Sequence, residues 1–229
     1  MKDTMEEDPA GADSAAFAQS LSALKERGSN LLVVGGGLDG VHEVACDRLL
    51  GETDEEPRRR GFVRTDGTTG CGIVPTHGAG VKNARAVVQA TATRSAAAPG
   101  AASTVPTRRV PEMDAGELAS ATVAAIDDLK DSAPALSPAE LRLCFDSLLP
   151  LFAEHDDEQV YRTLTLLTTR VRQVDGMGHY HLPVAPSERT VRLLEPLFDA
   201  VIELRHRNGR PEHCWRLVER DVESGWLPL

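Results

Sequence analysis

Lysine is nearly missing from this chain: only 4 of its 25 cationic residues are Lys, against 21 Arg, and Ile occurs 3 times. The cations are outnumbered by 35 Asp and Glu, giving a net charge of −10. That balance argues against the basic groove with which proteins neutralise nucleic-acid phosphates. The one basic cluster, Arg58-Arg59-Arg60, runs straight into an apolar strand and reads as a solvated flank. No apolar run approaches the roughly 18 residues that a membrane-crossing helix needs, and residues 1–13 are acidic where a secretory signal is basic. A cytoplasmic protein with neither membrane nor nucleic acid as partner is expected. Four cysteines, Cys46, Cys71, Cys144 and Cys214, stand far apart without a C-x-x-C pair. Neither a disulfide framework nor a zinc knuckle is indicated. They read as reduced, mostly buried thiols, and no metal ligands are expected.

The length, 229 residues, suits one larger α/β domain with a sizeable core. The preference for Arg, Ala, Val and Leu over Lys and Ile, on an acidic chain, resembles proteins of salt-in halophiles. In multimolar salt the Debye length falls to about 3 Å or less, so such a surface is screened and stays hydrated.

The segment Leu31-Leu32-Val33-Val34-Gly35-Gly36-Gly37-Leu38-Asp39-Gly40-Val41-His42 has the frame of a phosphate-binding loop: an apolar strand, a glycine turn and a helix start. In G-x-x-x-x-G-K-[ST], backbone N–H groups and the lysine hold the β- and γ-phosphates while the hydroxyl binds magnesium. Gly35 and Gly40 have the right spacing, but Val41 stands for the lysine and His42 for the hydroxyl. A protonated imidazole at a helix start could touch a phosphate, yet the helix dipole there disfavours the cation. Leu141-Arg142-Leu143-Cys144-Phe145-Asp146 is a second buried-type strand, and it ends on an aspartate. Asp146 fits the acidic residue that orients magnesium from the tip of a neighbouring parallel strand, or it caps the following turn or helix. His179-Tyr180-His181 puts two imidazoles on one strand face, as two metal ligands would require. No thiol or carboxylate is tied to them by sequence, so they read as core or sheet-end histidines with backbone partners.

Along the chain, residues 1–12 read as disordered and 13–229 as one domain. Asp13 is the expected cap of a helix carrying Phe17, Leu21 and Leu24 and closed by Gly28. Strands are expected at 31–34, 61–65, 84–93, 141–148, 177–184 and 200–204, and helices at 41–50, from Asp114, at 158–174 and at 187–199. The helix at 41–50 should offer Val41, Val44, Ala45 and Leu49 to the core. Residues 67–80 read as a long surface excursion, and 95–106, low in complexity, as a flexible insertion. Asn208-Gly209 reads as a tight hairpin turn into 214–218. Strands alternating with helices before a terminal hairpin predict a mostly parallel sheet with an antiparallel edge. The apolar end Trp226-Leu227-Pro228-Leu229 either tucks into the core or meets a partner.

The order of the glycine loop, Phe62-Val63-Arg64-Thr65-Asp66, Cys144-Phe145-Asp146-Ser147-Leu148, the strand near 177–183 and Phe198-Asp199-Ala200-Val201-Ile202-Glu203-Leu204 resembles a RecA/KaiC-type ATPase core, and further a group of haloarchaeal RecA-like proteins. The resemblance spans roughly residues 15–229. It implies a RecA-like sheet flanked by helices, with Asp66 in the position of the residue that activates the hydrolytic water. The vestigial nucleotide site would comprise Gly35, Gly36, Gly37, Gly40, Val41, His42 and Asp146, with ATP or ADP and magnesium as candidate ligands. Without the lysine, much of the stabilisation of a transferring phosphoryl group is lost. Three functions stay open: a noncatalytic regulatory or signalling module acting through protein partners; a weak ATPase using Asp66 and Asp146 with an arginine such as Arg64 or Arg172 from a neighbouring subunit of a homo-oligomer; and a structural subunit with an empty loop.

Overall fold

A strand buried on both faces needs an unbroken apolar run, and β1 (Ser29–Val34) is buried at every position. It begins two residues before the apolar run, and the polar Asn30 is hydrogen-bonded there: its backbone N–H donates to Asp199 Oδ2 (2.8 Å), its Nδ2 donates to the Thr168 carbonyl (3.0 Å), and the Tyr180 hydroxyl donates to its Oδ1 (3.2 Å). These hydrogen bonds offset the cost of burying the amide. The computed structural model describes residues 9–38, 40–51, 58–65, 84–89, 106–110, 113–220 and 222–229, with the backbone alone for 9–16, 84 and 86–89.

The other strands are β2 (Arg59–Arg64), β3 (Ala84–Gln89), β4 (Thr107–Val110), β5 (Leu141–Phe145), β6 (Met177–Leu182), β7 (Ala200–Arg207), β8 (Arg210–Leu217) and β9 (Val222–Pro228). All lie in one sheet of order β4-β3-β2-β5-β6-β1-β7-β8-β9. From β4 to β7 every pairing is parallel, and β8 and β9 add an antiparallel hairpin. Asn208 and Gly209 turn that hairpin with φ of 53° and 73°, the double left-handed backbone of a two-residue turn. The protein is thus α/β, with a mostly parallel sheet and a C-terminal antiparallel edge.

Helices cover both faces. On one face α3 (Ala115–Asp131) and α5 (Asp157–Gln173) pack together, with the short α4 (Leu149–Glu154), α6 (Arg189–Leu194) and a 3₁₀ turn (Glu195–Leu197) beside them. The Asp114 carboxylate accepts from the Glu117 N–H (2.7 Å), and Asp156 accepts from Gln159 (2.8 Å), so both long helices start on satisfied caps. On the other face, α1 (Pro9–Glu26) and α2 (Val41–Leu50) enclose Leu31, Val33, Ala200, Ile202 and Leu204. Period-two alternation sends Leu32 and Val34 to the opposite core.

Five expectations change. Helix α1 starts at Pro9, so Asp13 lies inside it rather than capping it; proline suits a helix's first position. Helix α2 buries Val41, His42, Ala45, Cys46 and Leu50 and leaves Val44 45% exposed. Its inner face is therefore turned toward His42 and Cys46. Strand β4 went unforeseen because Thr-Arg-Arg-Val shows no apolar alternation, and β9 because its side chains are mostly exposed. Trp226 is neither tucked into the core nor bare: it is half-buried on β9, with the Arg205 guanidinium 3.5 Å from its ring centroid. Among the described residues no helix is long and apolar enough to cross a membrane. Asp66, Cys71 and most of the expected excursion and insertion fall outside the described residues.

Candidate functional site

The glycine loop leaves the carboxyl end of β1, between β6 and β7, where open α/β sheets bind ligands. Gly35 has φ +148°, and a Cβ on it would lie 2.8 Å from Leu38 Cδ1 and 2.9 Å from the Leu204 carbonyl oxygen, so only glycine fits. Its N–H donates to Val184 O (2.9 Å). Gly37 and Gly40 adopt left-handed φ of 64° and 73° with open space beside them, and Gly36 sits against the Val184–Ala185 backbone. The Val41 N–H, which a phosphate loop would turn toward its ligand, donates to Leu38 O at 3.3 Å, and the Val41 side chain is buried.

His42 points inward. Its Nε2 lies 2.8 Å from the Gly35 carbonyl and its Nδ1 lies 2.9 Å from His181 Nδ1. Burial, reinforced by the neighbouring His181, lowers its pKa to about 4 against a smaller opposing pull from the Gly35 carbonyl, so the ring is neutral at pH 7. A carbonyl only accepts, so His42 Nε2 carries the hydrogen and Nδ1 is the acceptor. His181 Nδ1 must then be the donor. This leaves His181 Nε2 as a buried nitrogen without a hydrogen-bond partner.

The same face of the sheet carries the pair singled out on β6. The expectation of backbone partners is corrected: His179 Nε2 lies 3.3 Å from Cys46 Sγ, and His181 meets His42. Cys46 Sγ in turn lies 3.2 Å from Cys144 Sγ. Cys144 on β5 is the register partner of His179 on β6, and Cys46 hangs over both from α2. Burial, then His181, then Arg142 push His179 well below the ordinary imidazole range. Arg142 is itself buried beside it, donating to the carbonyls of Ala139 (2.8 Å) and Leu49 (3.2 Å). Sequence singled out the two histidines but not their thiol neighbours. The available signal was the helical spacing of His42 and Cys46, four residues apart on one face of α2.

Asp146 follows β5, two strands from β1 with β6 between, rather than on an adjacent strand. Its Oδ1 accepts from the Thr65 N–H and from Thr65 Oγ1, both at 2.9 Å, and Thr65 Oγ1 also contacts the Ser147 carbonyl. The aspartate thus ties the end of β2 to β5. Arg172 is engaged with Asp199 (3.1 Å) and the Leu197 carbonyl (2.9 Å), at the amino ends of the parallel strands, opposite the loop. Separately, a cavity of about 520 Å³ lies between α1, α2 and the terminal hairpin, with Leu21, Arg142, Met177, Ile202, Trp215 and Leu229 among its walls.

No curated protein matches the chain. Residues 28–204, which hold the loop, Asp146 and the histidine–thiol cluster but end before β8, match the family described as Family of unknown function (DUF7504), and the chain belongs to that family.

Proposed function

We propose that this protein is a noncatalytic module of RecA/KaiC type, whose degenerate nucleotide loop serves as a structural or sensing element and which acts through protein partners. The observation that carries the reading is His42: at the position of the magnesium-binding hydroxyl stands an imidazole held at both nitrogens, by Gly35 O and by His181. A neutral ring so held offers a phosphate no charge and magnesium no oxygen. Val41 adds no cation, and its N–H is spent within the turn. Phosphoryl transfer depends on positioning and on charge stabilisation supplied at the loop, and both of those groups are replaced here. What the frame retains is the backbone turn at the carboxyl edge of the sheet, a shape that a partner or a weakly held nucleotide can read.

The test is steady-state ATP hydrolysis by the full chain in molar potassium chloride with magnesium, beside Asp146→Asn. The proposal expects no turnover above the buffer rate. Magnesium-dependent turnover abolished by Asp146→Asn would overturn it in favour of a weak ATPase.

A further inference from the structure

We propose that Cys46, Cys144, His179 and His181 bind one tetrahedral divalent transition-metal ion of the zinc class, buried between α2 and strands β5 and β6. Each residue offers one ligand atom, and these atoms all lie within 4.8 Å of one another. A zinc ion with bonds of about 2.0–2.3 Å separates its ligands by roughly 3.3–3.8 Å. The Cys46–His179 separation, 3.3 Å, lies within a few tenths of an ångström of the roughly 3.5 Å expected for a sulfur–nitrogen pair, and the two sulfurs, at 3.2 Å, would move apart by about half an ångström to reach the roughly 3.8 Å of a sulfur–sulfur pair.

Three further features point to a metal rather than to a chance polar cluster. The first is an orphan: Nε2 of His181, in a residue 0% exposed, has no hydrogen-bond partner, and a buried lone pair without a partner is what a metal satisfies. The second is charge. Two thiolates and two neutral imidazoles balance a dication, so the filled centre is neutral in a place where net charge is costly. The third is the outer shell. The other nitrogen of His181 donates to His42, which donates to Gly35 O, the kind of relay that fixes the tautomer and direction of a metal-bound imidazole.

Two thiols and two imidazoles form an S₂N₂ set suited to zinc. All four ligands come from the protein and all are buried, leaving no position for substrate, so the ion would be structural. Binding forms two metal–sulfur and two metal–nitrogen bonds and releases the two thiol protons to solvent, with no change of oxidation state. The cavity lined by Ala45, Arg142 and Met177 brings open space to the residues beside Cys46 and His179. The inference does not depend on whether the glycine loop binds nucleotide, but it ties the loop to the ion through His42, a positioning residue.

The test uses untagged full-length protein under reductant in molar potassium chloride. Metal content is measured after equilibration with buffered zinc, and the absorption spectrum after loading with cobalt(II). The expected result is one zinc per chain, and a cobalt form with intense tetrahedral d–d bands and thiolate-to-cobalt charge transfer. Cys46→Ser and Cys144→Ser should each lose the charge-transfer band in part, and Cys214→Ser should leave it unchanged. His42→Ala should weaken zinc binding by about 10–100-fold while keeping the same spectrum. Because a core variant can fail to fold, the wild-type spectrum decides by itself. A folded, reduced wild-type chain that takes up no zinc, or whose cobalt form lacks thiolate charge transfer, would overturn the proposal.

Discussion

Replacing His42 by alanine removes two buried hydrogen bonds at once. The Gly35 carbonyl loses its donor at 2.8 Å and His181 Nδ1 loses its acceptor at 2.9 Å. Each buried group left unsatisfied costs about 1–3 kcal/mol. Water entering the imidazole-sized space can recover part of that, because the lining offers polar partners. A net loss of about 2–4 kcal/mol follows, a large share of the roughly 5–15 kcal/mol that holds a domain folded. The assay is denaturant unfolding in molar potassium chloride with reductant and a metal chelator, so that the loss reports the hydrogen-bonded pair and not a bound ion. His42→Ser should lose nearly as much, since its hydroxyl is too short to span from Gly35 to His181. Amide exchange at Gly35 should accelerate in both variants, its N–H being bonded to Val184 O beside the released carbonyl. A loss below about 0.5 kcal/mol, typical of an ordinary surface change, would refute the reasoning and mean that the ring faces the loop opening in solution.

Three other expectations rest on separate parts of the fold. Gly28 closes α1 with φ +73°, and a Cβ there would come within 3.0 Å of the Asp175–Gly176 backbone; Gly28→Ala should cost about 1–3 kcal/mol in thermal or chemical unfolding, and a neutral result would contradict that packing. Glu195 is held below the usual carboxylate range chiefly by the hydrogen bonds from Arg216, at 2.5 and 3.0 Å. A depressed acid contributes stability that is present above its unfolded pKa, about 4.5, and lost as pH falls through the folded value. Arg216→Gln should therefore cost about 1 kcal/mol near pH 7 and converge on wild type in acid; an offset that does not change with pH would count against the ion pair. Trp226→Ala removes a half-buried ring stacked by Arg205 on edge strand β9 and should leave a folded chain destabilised by about 1–2 kcal/mol. Loss of assembly in a folded variant, read by size-exclusion chromatography with light scattering, would instead assign β9 to an interface.

The legibility of this chain follows from where its information is local. The apolar run of β1, the aspartate ahead of α3 and the Val160–Leu164–Leu167–Val171 stripe of α5 are statements about neighbours in sequence, and each element formed within a few residues of its expected bounds. The rotation of α2 was not readable, because Val44 and Cys46 are both apolar enough to face a core and only the packed sheet chooses between them. The histidine–thiol cluster was hidden for a related reason. Its members stand at 46, 144, 179 and 181, and they meet only because β5 pairs with β6 in the register Cys144 to His179, under a helix that follows the glycine loop. Strand order is a tertiary choice that no local pattern records. Strands β4 and β9, at the two edges of the sheet, carry arginines or exposed side chains in place of alternation, as edges do when they are guarded against further pairing.

The central claim is that the loop keeps the shape of a phosphate site without its magnesium–triphosphate chemistry, and equilibrium binding of ATP and ADP to the full chain in molar potassium chloride tests it most directly. Titrations with and without magnesium, on wild type and on Gly40→Glu, separate the possibilities. The account predicts that magnesium leaves any affinity unchanged and that ATP gains nothing over ADP, whether or not Gly40→Glu removes a weak, phosphate-directed binding. A tenfold or greater tightening of ATP by magnesium, worth about 1.4 kcal/mol and lost in Gly40→Glu, would contradict it.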